Sequence, residues 1–342
     1  MKMMVQTVDL ERDRDVLIAT LRQYLTASSN ESRFDWLYRQ NPHGAPHVWL
    51  ARDSESGEVV GASAAFRRRA TVNGLEKSGW VLGDFCVADK YRSLGPALQL
   101  QRATLAAVAE LPESDFCYDF PSLQLTAIYR RLGVQPAAQM VRLAKPLRLD
   151  QKLQQRGSLG SLARPAAWIG NSLLRIYDYR IGNGKAWEIA IHEGECEHEF
   201  THLRERMRAV NGVEIERSAE YLNWRYLRHP FFSYQILTAR KSGELQGYLV
   251  FTRGDGHAQI VEWCTGDDPA LLGALVRNLV RRLRKDGTMT LSAFLLESDP
   301  RLGVLTKLGF WPRESSPVMV NWPASSVVPA CDWLLMHGDR DS

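Results

Sequence analysis

A short polar turn between a predicted strand and a predicted helix carries the strongest chemical signal in this sequence. The strand ends at Val87 and the helix begins near Gly95, so the turn presents the unpaired N–H groups of a helix start. Those donors carry a partial positive charge, and the small residues Gly95 and Ala97 let a ligand approach them closely. Lys90 and Arg92 add full positive charges beside the turn. This pattern predicts a cradle for a pyrophosphate or a similar anion.

The sequence also repeats itself at long range. Two segments, residues 36–42 and 224–230, both read W-x-Y-x-x-x-P, although tryptophan is a rare residue. Further matches follow in the same order along the chain: Gly57-Glu58 with Gly243-Glu244, Asp84-Phe85-Cys86 with Glu262-Trp263-Cys264, and Leu132-Gly133 with Leu308-Gly309. Ordered matches with small length changes indicate two copies of one structural unit. The alternative is two unrelated α/β domains that share strand and turn composition.

Each copy shows the same order of predicted elements. An amphipathic helix is followed by the W-x-Y segment, whose proline ends a helix, and then by a strand–turn–strand hairpin. A further strand leads into a long helix (95–110 or 269–285), and a strand, a short helix and a final strand complete the unit. The pattern predicts a mixed α/β fold in two tandem domains, residues 1–148 and 186–342. Residues 149–185 are predicted to form a linker that is partly helical.

Within this linker, residues 161–180 combine apolar side chains with arginines. A helix that lies on a membrane surface has that composition. A linker helix that packs its apolar side on the two domains has it too, and we favour this second interpretation.

Bulk composition narrows the function classes. A chain of 342 residues with 45% hydrophobic and 24% charged residues is typical of a globular protein and long enough for two domains. Its net charge of +4 is small and dispersed, so no nucleic-acid partner is expected. Without a signal-peptide pattern or a long apolar run, the chain is expected to be cytoplasmic and to lack a transmembrane segment. Its five cysteines and eight histidines show no metal-ligand spacing, so no metal is expected.

The turn residues Arg92-Ser93-Leu94-Gly95-Pro96-Ala97 resemble a known signature. They fit the pattern Q/R-x-x-G-x-G/A of the GCN5-related N-acetyltransferase (GNAT) superfamily, in the place where that family has it, between the central strand and the long helix. The segment from Tyr129 to Val134 is similar to the Y-x-x-x-G-F segment of the same family. The tandem arrangement resembles that of mycothiol synthase and the Fem aminoacyltransferases. Two positions depart from the family pattern, since Pro96 lacks an N–H and Ser122 stands where an asparagine is common.

This resemblance implies an acyl-CoA-dependent N-acyltransferase. Acetyl-CoA or another acyl-CoA would be the co-substrate, and the amine of a small polar molecule would attack its thioester directly. An amino sugar of surface-polysaccharide metabolism is the suggested acceptor, bound near the interface of the two domains. The residues implied to bind acyl-CoA are Phe85, Val87, Arg92, Ser93, Leu94, Gly95, Ala97 and Ser122. Two alternatives stay open: a Fem-like transfer of an aminoacyl group from tRNA, and a non-catalytic scaffold or regulatory protein that kept the fold.

Direct transfer needs a base that takes a proton from the acceptor ammonium and an acid that protonates the leaving thiolate. The resemblance places Tyr129 in the family's acid position. Asp84, on the central strand, is the candidate base, although its counterpart Glu262 is also acidic and a structural role in both copies would explain the pair. Asp119 and Tyr118, on the next strand, are further acidic and phenolic neighbours.

Two other features are predicted to be structural. Cys86 lies on the same strand as Asp84, but Cys264 repeats it in the other copy, so a buried packing thiol is favoured over a nucleophile. The aromatic residues of the W-x-Y segments are expected to anchor their helices onto the sheet: Trp36, Tyr38, Trp224 and Tyr226.

The second copy lacks the features expected to bind acyl-CoA. Three residues of the first copy, Arg92, Ala97 and Tyr129, correspond to Ala270, Leu275 and Leu305. Asp267 and Asp268 precede the second long helix and would repel an anion there. We therefore expect the chemistry in the first copy, while the second copy shapes the acceptor side.

Overall fold

The computed structural model describes residues 3–92, 94–148, 186–207, 212–322 and 333–341. The predicted linker 149–185, with its basic segment 161–180, and the predicted cofactor residue Ser93 lie outside the described residues. The first half comprises the described residues up to 148, and the second half those from 186 onward.

The first half contains six strands and four helices. In chain order they are β1 (Met3–Thr7), α1 (Arg14–Tyr24), α2 (Glu31–Phe34), β2 (His47–Asp53), β3 (Val59–Val72), β4 (Leu75–Val87), α3 (Leu94–Ala109), β5 (Phe116–Asp119), α4 (Leu123–Arg131) and β6 (Pro136–Pro146). A π-helical turn, Asp35–Arg39, extends α2, and a short 3-10 turn, Asp89–Tyr91, follows β4.

The second half repeats this order with one added strand. Its elements are β7 (Glu188–Ile191), α5 (His198–Arg206), β8 (Val213–Ile215), α6 (Ala219–Leu222), β9 (Tyr234–Lys241), β10 (Glu244–Gly254), β11 (His257–Cys264), α7 (Pro269–Lys285), β12 (Thr290–Leu296), α8 (Leu302–Lys307) and β13 (Trp311–Asn321). A π-helical turn, Asn223–Leu227, extends α6, and a 3-10 turn, His337–Asp339, lies near the end of the chain. No helix of the described residues is long and apolar enough to cross a membrane.

Both W-x-Y segments are built in the same way. Asn30 caps α2 by accepting a hydrogen bond from the Arg33 N–H at 3.0 Å, and Ser218 caps α6 by accepting one from the Tyr221 N–H at 3.2 Å. Each capped helix then continues as a π-helical turn that contains the tryptophan and the tyrosine. A polar side chain at the helix start satisfies N–H groups that have no partner within the helix.

The strands form one mixed sheet that runs through both halves. Its order is β1-β2-β3-β4-β5-β13-β6-β12-β11-β10-β9-β7, with β8 paired to β3. β4 pairs with β5 and β11 with β12 in parallel, and the other neighbours are antiparallel. Near the middle, the halves exchange their last strands, because β13 pairs with β5 and β6 pairs with β12. The predicted mixed α/β fold is confirmed.

The two motif tryptophans join the halves. Trp36 Nε1 donates to the carbonyl oxygen of Trp224 at 2.8 Å, and Trp224 Nε1 donates to that of Trp36 at 2.7 Å. Their rings stack with centroids 5.3 Å apart. Tyr38 and Tyr226 each donate to a carboxylate on a strand of their own half, both at 2.5 Å. The tyrosines therefore link helix to sheet as predicted, whereas the tryptophans link one half to the other.

In the first half, helices cover both faces of the sheet. Along β2, Val48 and Leu50 pack on the side of α1, whereas Trp49 and Ala51 pack on the side of α3 and α4, as expected for alternating strand residues. β4 and β5 pair only over residues 79–81 and 116–118. Beyond these residues the two strands no longer pair, and the Asp341 side chain lies against β4 there.

Candidate functional site

Asp84 forms a buried ion pair on β4, next to an irregularity in that strand. Its backbone φ of 49° lies in the left-handed region, which costs a non-glycine residue about 1–2 kcal/mol. Arg33 Nη1 and Nη2 donate to its two oxygens at 2.7 and 2.5 Å, and the Tyr38 hydroxyl donates at 2.5 Å. Burial and the Asp84 charge raise the pKa of Tyr38 well above its usual value. Asp84 is therefore paired with an arginine, and both of its carboxylate oxygens already accept hydrogen bonds.

A second carboxylate, that of Asp341, lies against the same stretch of β4. Its Oδ2 accepts a hydrogen bond from the Asp84 N–H at 3.3 Å. A Cβ on Gly83 would collide with the Asp341 side chain, so glycine is required there. Burial and the neighbouring Asp84 charge raise the pKa of the Asp341 carboxyl group. Burial, with a smaller effect of the Asp341 charge, raises the pKa of Asp119 at the end of β5. Asp341 thus lies near the ends of both strands, and it is a stronger base than an ordinary aspartate.

A chain of three polar side chains is buried between α3, α4 and β5. Gln101 Nε2 donates to the Tyr129 hydroxyl oxygen at 2.8 Å, and the Tyr129 hydroxyl donates to Asp119 Oδ2 at 2.7 Å. Burial raises the pKa of Asp119 to about 7, although the Tyr129 hydrogen bond lowers it. Burial also raises the pKa of Tyr129 well above its usual value. The predicted acid Tyr129 is therefore joined to a carboxyl group that is partly protonated at neutral pH.

The second half has no equivalent of this polar chain. The positions that correspond to Gln101, Asp119 and Tyr129 are apolar core residues, Leu279, Ala293 and Leu305. The second half forms the same elements with apolar residues at these positions, so the fold does not need the polar chain. Burial of polar groups also costs free energy that an apolar core avoids. Sequence reasoning missed Gln101, but extending the repeat comparison to the long helices would have found it.

The turn after β4 leaves the start of α3 open. The Arg92 side chain is 62% exposed and pairs with Asp89 at 3.0 Å. Gly95 is exposed and has open space where a Cβ would be, whereas Ala97 is buried in the core. An exposed helix start beside an arginine has the donors and the charge that an anionic phosphate requires.

Three other predicted cofactor residues lie near this turn or near α4. Val87 is buried and Phe85 is half-buried, and both pack on the side of α3 and α4. The Ser122 hydroxyl caps α4 by accepting a hydrogen bond from the Leu125 N–H at 3.3 Å. Ser122 thus already has a structural partner.

The equivalent helix start in the second half is closed by its own sequence. Asp268 Oδ1 accepts hydrogen bonds from the N–H groups of Ala270 and Leu271, at 2.8 and 3.1 Å. The donors and the partial positive charge of α7 are therefore used by a carboxylate of the same chain.

A pocket of about 640 Å³ lies between the two halves, a volume typical of ligand sites. From the first half it is lined by the α1–α2 loop and by Arg33, Trp36 and Asp84. The second half contributes aromatic side chains, the end of the chain and residues of β10 and β11: His229, Phe231, Phe232, Tyr234, His337, Asp341, Thr252, Gln259 and Val261. This interface is where the sequence predicts that the acceptor binds.

Comparison with known proteins identifies the fold. No protein-family model and no curated protein sequence matches the chain. Among solved structures it is similar to a probable N-acyltransferase of Enterococcus faecalis, with a TM-score of 0.68, 11% sequence identity and coverage of 94% of this chain and 73% of that one. A GCN5-related N-acetyltransferase of Anabaena variabilis gives a TM-score of 0.64 at 15% identity, with coverage of 94% and 73%. The N-myristoyltransferase of Saccharomyces cerevisiae gives 0.58 at 11% identity, with coverage of 94% and 79%. The chain has the GNAT fold.

This GNAT fold sets the two predicted catalytic residues on opposite faces of the sheet. Tyr129 packs on the side of α3 and α4, whereas Asp84 bonds to Arg33 and Tyr38 on the side of α1 and α2. A group that reached Tyr129 and the pocket together would have to pass between β4 and β5 beyond their paired residues, where Asp341 bonds to the β4 backbone.

The cysteines on the central strands of the GNAT fold are packed thiols. Cys86 and Cys264 are both buried, and burial raises the pKa of Cys86 to about 12. Cys86 is therefore protonated at neutral pH, which disfavours a nucleophilic role. Among the described residues, no group of three or more His, Cys, Asp or Glu side chains could hold a metal ion.

Proposed function

We propose that this protein is an acyl-CoA-dependent N-acyltransferase, with acyl-CoA bound by a first domain of residues 1–148. The acceptor amine would bind in the pocket shaped by a second domain of residues 186–342. One observation carries the proposal: β4 ends in the open turn before α3, and the same strand supplies Asp84 to the pocket. An anion site and an acceptor pocket therefore meet at a single strand.

The residues of the turn fit the pyrophosphate of a CoA thioester. The pair between Arg92 and Asp89 is exposed and contributes about 0–1 kcal/mol, so a phosphate can replace Asp89. Pro96 removes one donor, but a proline in the first helical turn leaves the helix intact. The residues that would hold the co-substrate are Phe85, Val87, Arg92, Ser93, Leu94, Gly95, Ala97 and Ser122. Bound there, acyl-CoA would supply the acyl group, with acetyl as the first candidate, as a thioester.

On the pocket side, a carboxylate would take the proton of the acceptor ammonium. The sequence predicts Asp84 for this role, but its oxygens already accept hydrogen bonds from Arg33 and Tyr38. Asp341 lies 3.3 Å from the Asp84 amide nitrogen, lines the same pocket and has a raised pKa. We therefore favour Asp341 as the proton acceptor, with Asp84 fixing the position of Asp341 through its N–H.

On the other face, Tyr129 would give its proton to the departing thiolate, while the nitrogen loses its second proton to bulk water as the amide forms. The phenolate that remains would regain a proton from Asp119 along the 2.7 Å hydrogen bond. Because the pKa of Asp119 is about 7, a substantial fraction of molecules carries that proton at neutral pH. Gln101 donates to the same phenol oxygen and would stabilise its negative charge.

Two alternatives predict different ligands. A Fem-like enzyme would take an aminoacyl group from tRNA, and a scaffold would take no acyl donor. The open start of α3 and the polar chain around Tyr129 favour acyl-CoA, because neither feature is needed by the fold. The free, buried cysteines among the described residues support a reducing compartment such as the cytoplasm.

Calorimetry with acetyl-CoA, octanoyl-CoA and myristoyl-CoA tests the proposal, followed by assays of thiol release with primary amines. We expect at least one acyl-CoA to bind and to release thiol only when an amine is present. Arg92→Ala should weaken binding, whereas Lys241→Ala, a change at an exposed lysine of the second half, should not. Absence of binding by every acyl-CoA would contradict the proposal.

A further inference from the structure

The pocket between the halves has one aromatic wall that runs from the core to the solvent. The Trp36 and His229 rings lie 4.3 Å apart, and His229 lies 5.1 Å from Phe232 and 5.4 Å from Tyr234. Trp36 is buried, whereas Phe231 and Phe232 are 42% and 56% exposed. The wall therefore leads from an enclosed inner end to an apolar mouth.

The mouth is held in place before any ligand binds. His229 Nδ1 accepts hydrogen bonds from the N–H groups of Phe231 and Phe232, at 3.2 and 3.1 Å. Burial lowers the pKa of His229 to about 4, so the imidazole is neutral and keeps this acceptor at pH 7. A pre-organised apolar surface binds a ligand at a lower entropic cost than a mobile one.

The repeat shows that the phenylalanine pair is not required by the fold. In the first half, the residues at the positions of Phe231 and Phe232 are His43 and Gly44. His43 is buried and stacks on Tyr221 at 4.8 Å, so that side of the molecule offers no exposed aromatic pair. The second half therefore exposes two phenylalanines at the pocket mouth that the first half lacks at the corresponding positions. Exposed apolar side chains that the fold does not require indicate a binding role.

The inner end of the pocket carries negative charge. The charged residues that line it are Arg33, Asp84 and Asp341, and Arg33 is paired with Asp84. Burial lowers the pKa of His337, which also lines the pocket, to about 3, so this ring is neutral at pH 7. Arg225 lies behind the wall and donates to backbone carbonyls of the chain end. Among the described residues Asp341 forms no salt bridge, although the charges of Arg33, Arg225 and Arg340 act on it, and its carboxylate suits an ammonium group.

We propose that the acceptor is a primary amine that carries an aromatic or bulky apolar group, not an amino sugar. Its ammonium binds at Asp341, and its apolar part covers Phe231 and Phe232. This inference rests on the proposed N-acyltransferase function and narrows the class of acceptor. An amino sugar needs a hydrogen-bond partner for each hydroxyl group that it buries. The phenyl rings of this wall offer none, so such partners would have to come from the other lining side chains, Thr26, Ser28, Thr252 and Gln259.

Three small probes separate the contributions of charge and apolar surface. We choose 2-phenylethylamine, its neutral analogue 2-phenylethanol, and glucosamine, with affinities measured by ligand-observed NMR on the full chain without acyl-CoA. We expect 2-phenylethylamine to bind about tenfold more tightly than each of the other two.

Two variants and one control locate the binding. Phe232→Ala should weaken 2-phenylethylamine about fivefold, in line with half-burial of one phenyl ring. Asp341→Asn should weaken the amine about tenfold and leave 2-phenylethanol unchanged. Leu75→Ala, which removes another exposed apolar side chain at the distant β3–β4 turn, should change neither affinity.

The outcomes distinguish this inference from the proposed function. Glucosamine that binds or accepts an acyl group as well as 2-phenylethylamine would overturn the inference and leave the N-acyltransferase intact. The expected amine binding, without thiol release from any acyl-CoA, would support the pocket chemistry and contradict the enzymatic function. Loss of amine affinity in Leu75→Ala equal to that in Phe232→Ala, or no binding of 2-phenylethylamine, would also overturn the inference.

Discussion

The starts of α3 and α7 occupy matching places in the two halves, and they differ in what meets their free N–H groups. At α7, Asp268 accepts hydrogen bonds from two of them. At α3, the exposed Gly95 and Arg92 leave room and positive charge for a ligand. The same contrast appears in the core, where the first half buries a polar chain around Tyr129 and the second half buries apolar residues.

The carboxylates on β4 and β11 show what the halves have in common. Glu262 accepts hydrogen bonds from Tyr226 and Tyr248 at 2.5 and 3.0 Å and pairs with Arg217, fully buried. Asp84 makes equivalent contacts with Tyr38 and an arginine, but it lines the pocket. A carboxylate bonded to the motif tyrosine therefore belongs to the fold in both halves. The first half differs in that its carboxylate, Asp84, lines the pocket, whereas Glu262 is fully buried.

The largest expected effect on turnover is that of Tyr129→Phe. Loss of the phenol proton should lower kcat about 100-fold and change the KM for acetyl-CoA less than about threefold. Steady-state thiol release measures both constants.

Tyr226→Phe is the matched control in the second half, because it also removes a hydroxyl bonded to a buried carboxylate. Its kcat should stay within about twofold of the wild type. An equal fall in both variants would show that the tyrosines act only through stability.

Asp119→Asn should change how stability depends on pH. In the folded protein the pKa of this carboxyl group is raised from 3.8 to about 7, so the folded state holds a proton that the unfolded chain releases. Its stabilising effect is present below about pH 4 and is lost as the pH rises through about 7. The free energy of unfolding of Asp119→Asn, relative to the wild type, should therefore increase by about 2 kcal/mol from pH 5 to pH 8.

Urea denaturation at the two pH values measures this difference. Asp255→Asn makes the same chemical change at an exposed turn of the second half, and its stability relative to the wild type should not depend on pH. A flat profile for Asp119→Asn would mean that Asp119 is ionised throughout this range.

Lys90→Asp places a carboxylate before α3, as Asp268 does before α7, because Lys90 corresponds to Asp268 in the repeat. A carboxylate beside the start of α3 should weaken acetyl-CoA binding about tenfold, or about 1.4 kcal/mol, at low salt. In about 0.5 M salt this loss of acetyl-CoA affinity should be smaller, because salt screens the interaction between exposed charges.

Calorimetry at the two salt concentrations provides the measurement, with Lys241→Asp as the control of equal charge change. Unchanged affinity in Lys90→Asp would show that the phosphates bind elsewhere.

The elements and the turn were predictable because their signals are local. Capping residues, prolines and hydrophobic periodicity lie within a few residues of the structure that they determine, and helix 269–285 has the boundaries predicted for it. Asp341 could not be predicted, since it is 257 residues from the Asp84 amide that it contacts. The exchange of β6 and β13 could not be predicted for the same reason, because it depends on pairing between strands that are far apart in the sequence. Hydrogen bonds between distant strands leave no pattern in either segment alone.

Asp268→Ala should have the smallest effect and gives a direct test of the asymmetry between the halves. Removal of a helix cap costs about 1 kcal/mol, and Ser218→Ala, which uncaps α6 in the same half, should cost a similar amount. Calorimetric titration should still give one acetyl-CoA per chain. The bulky Leu275, and Ala270 in the place of Arg92, also disfavour a ligand at α7. A second equivalent bound by Asp268→Ala would show that one capping carboxylate alone keeps acyl-CoA out of the second half.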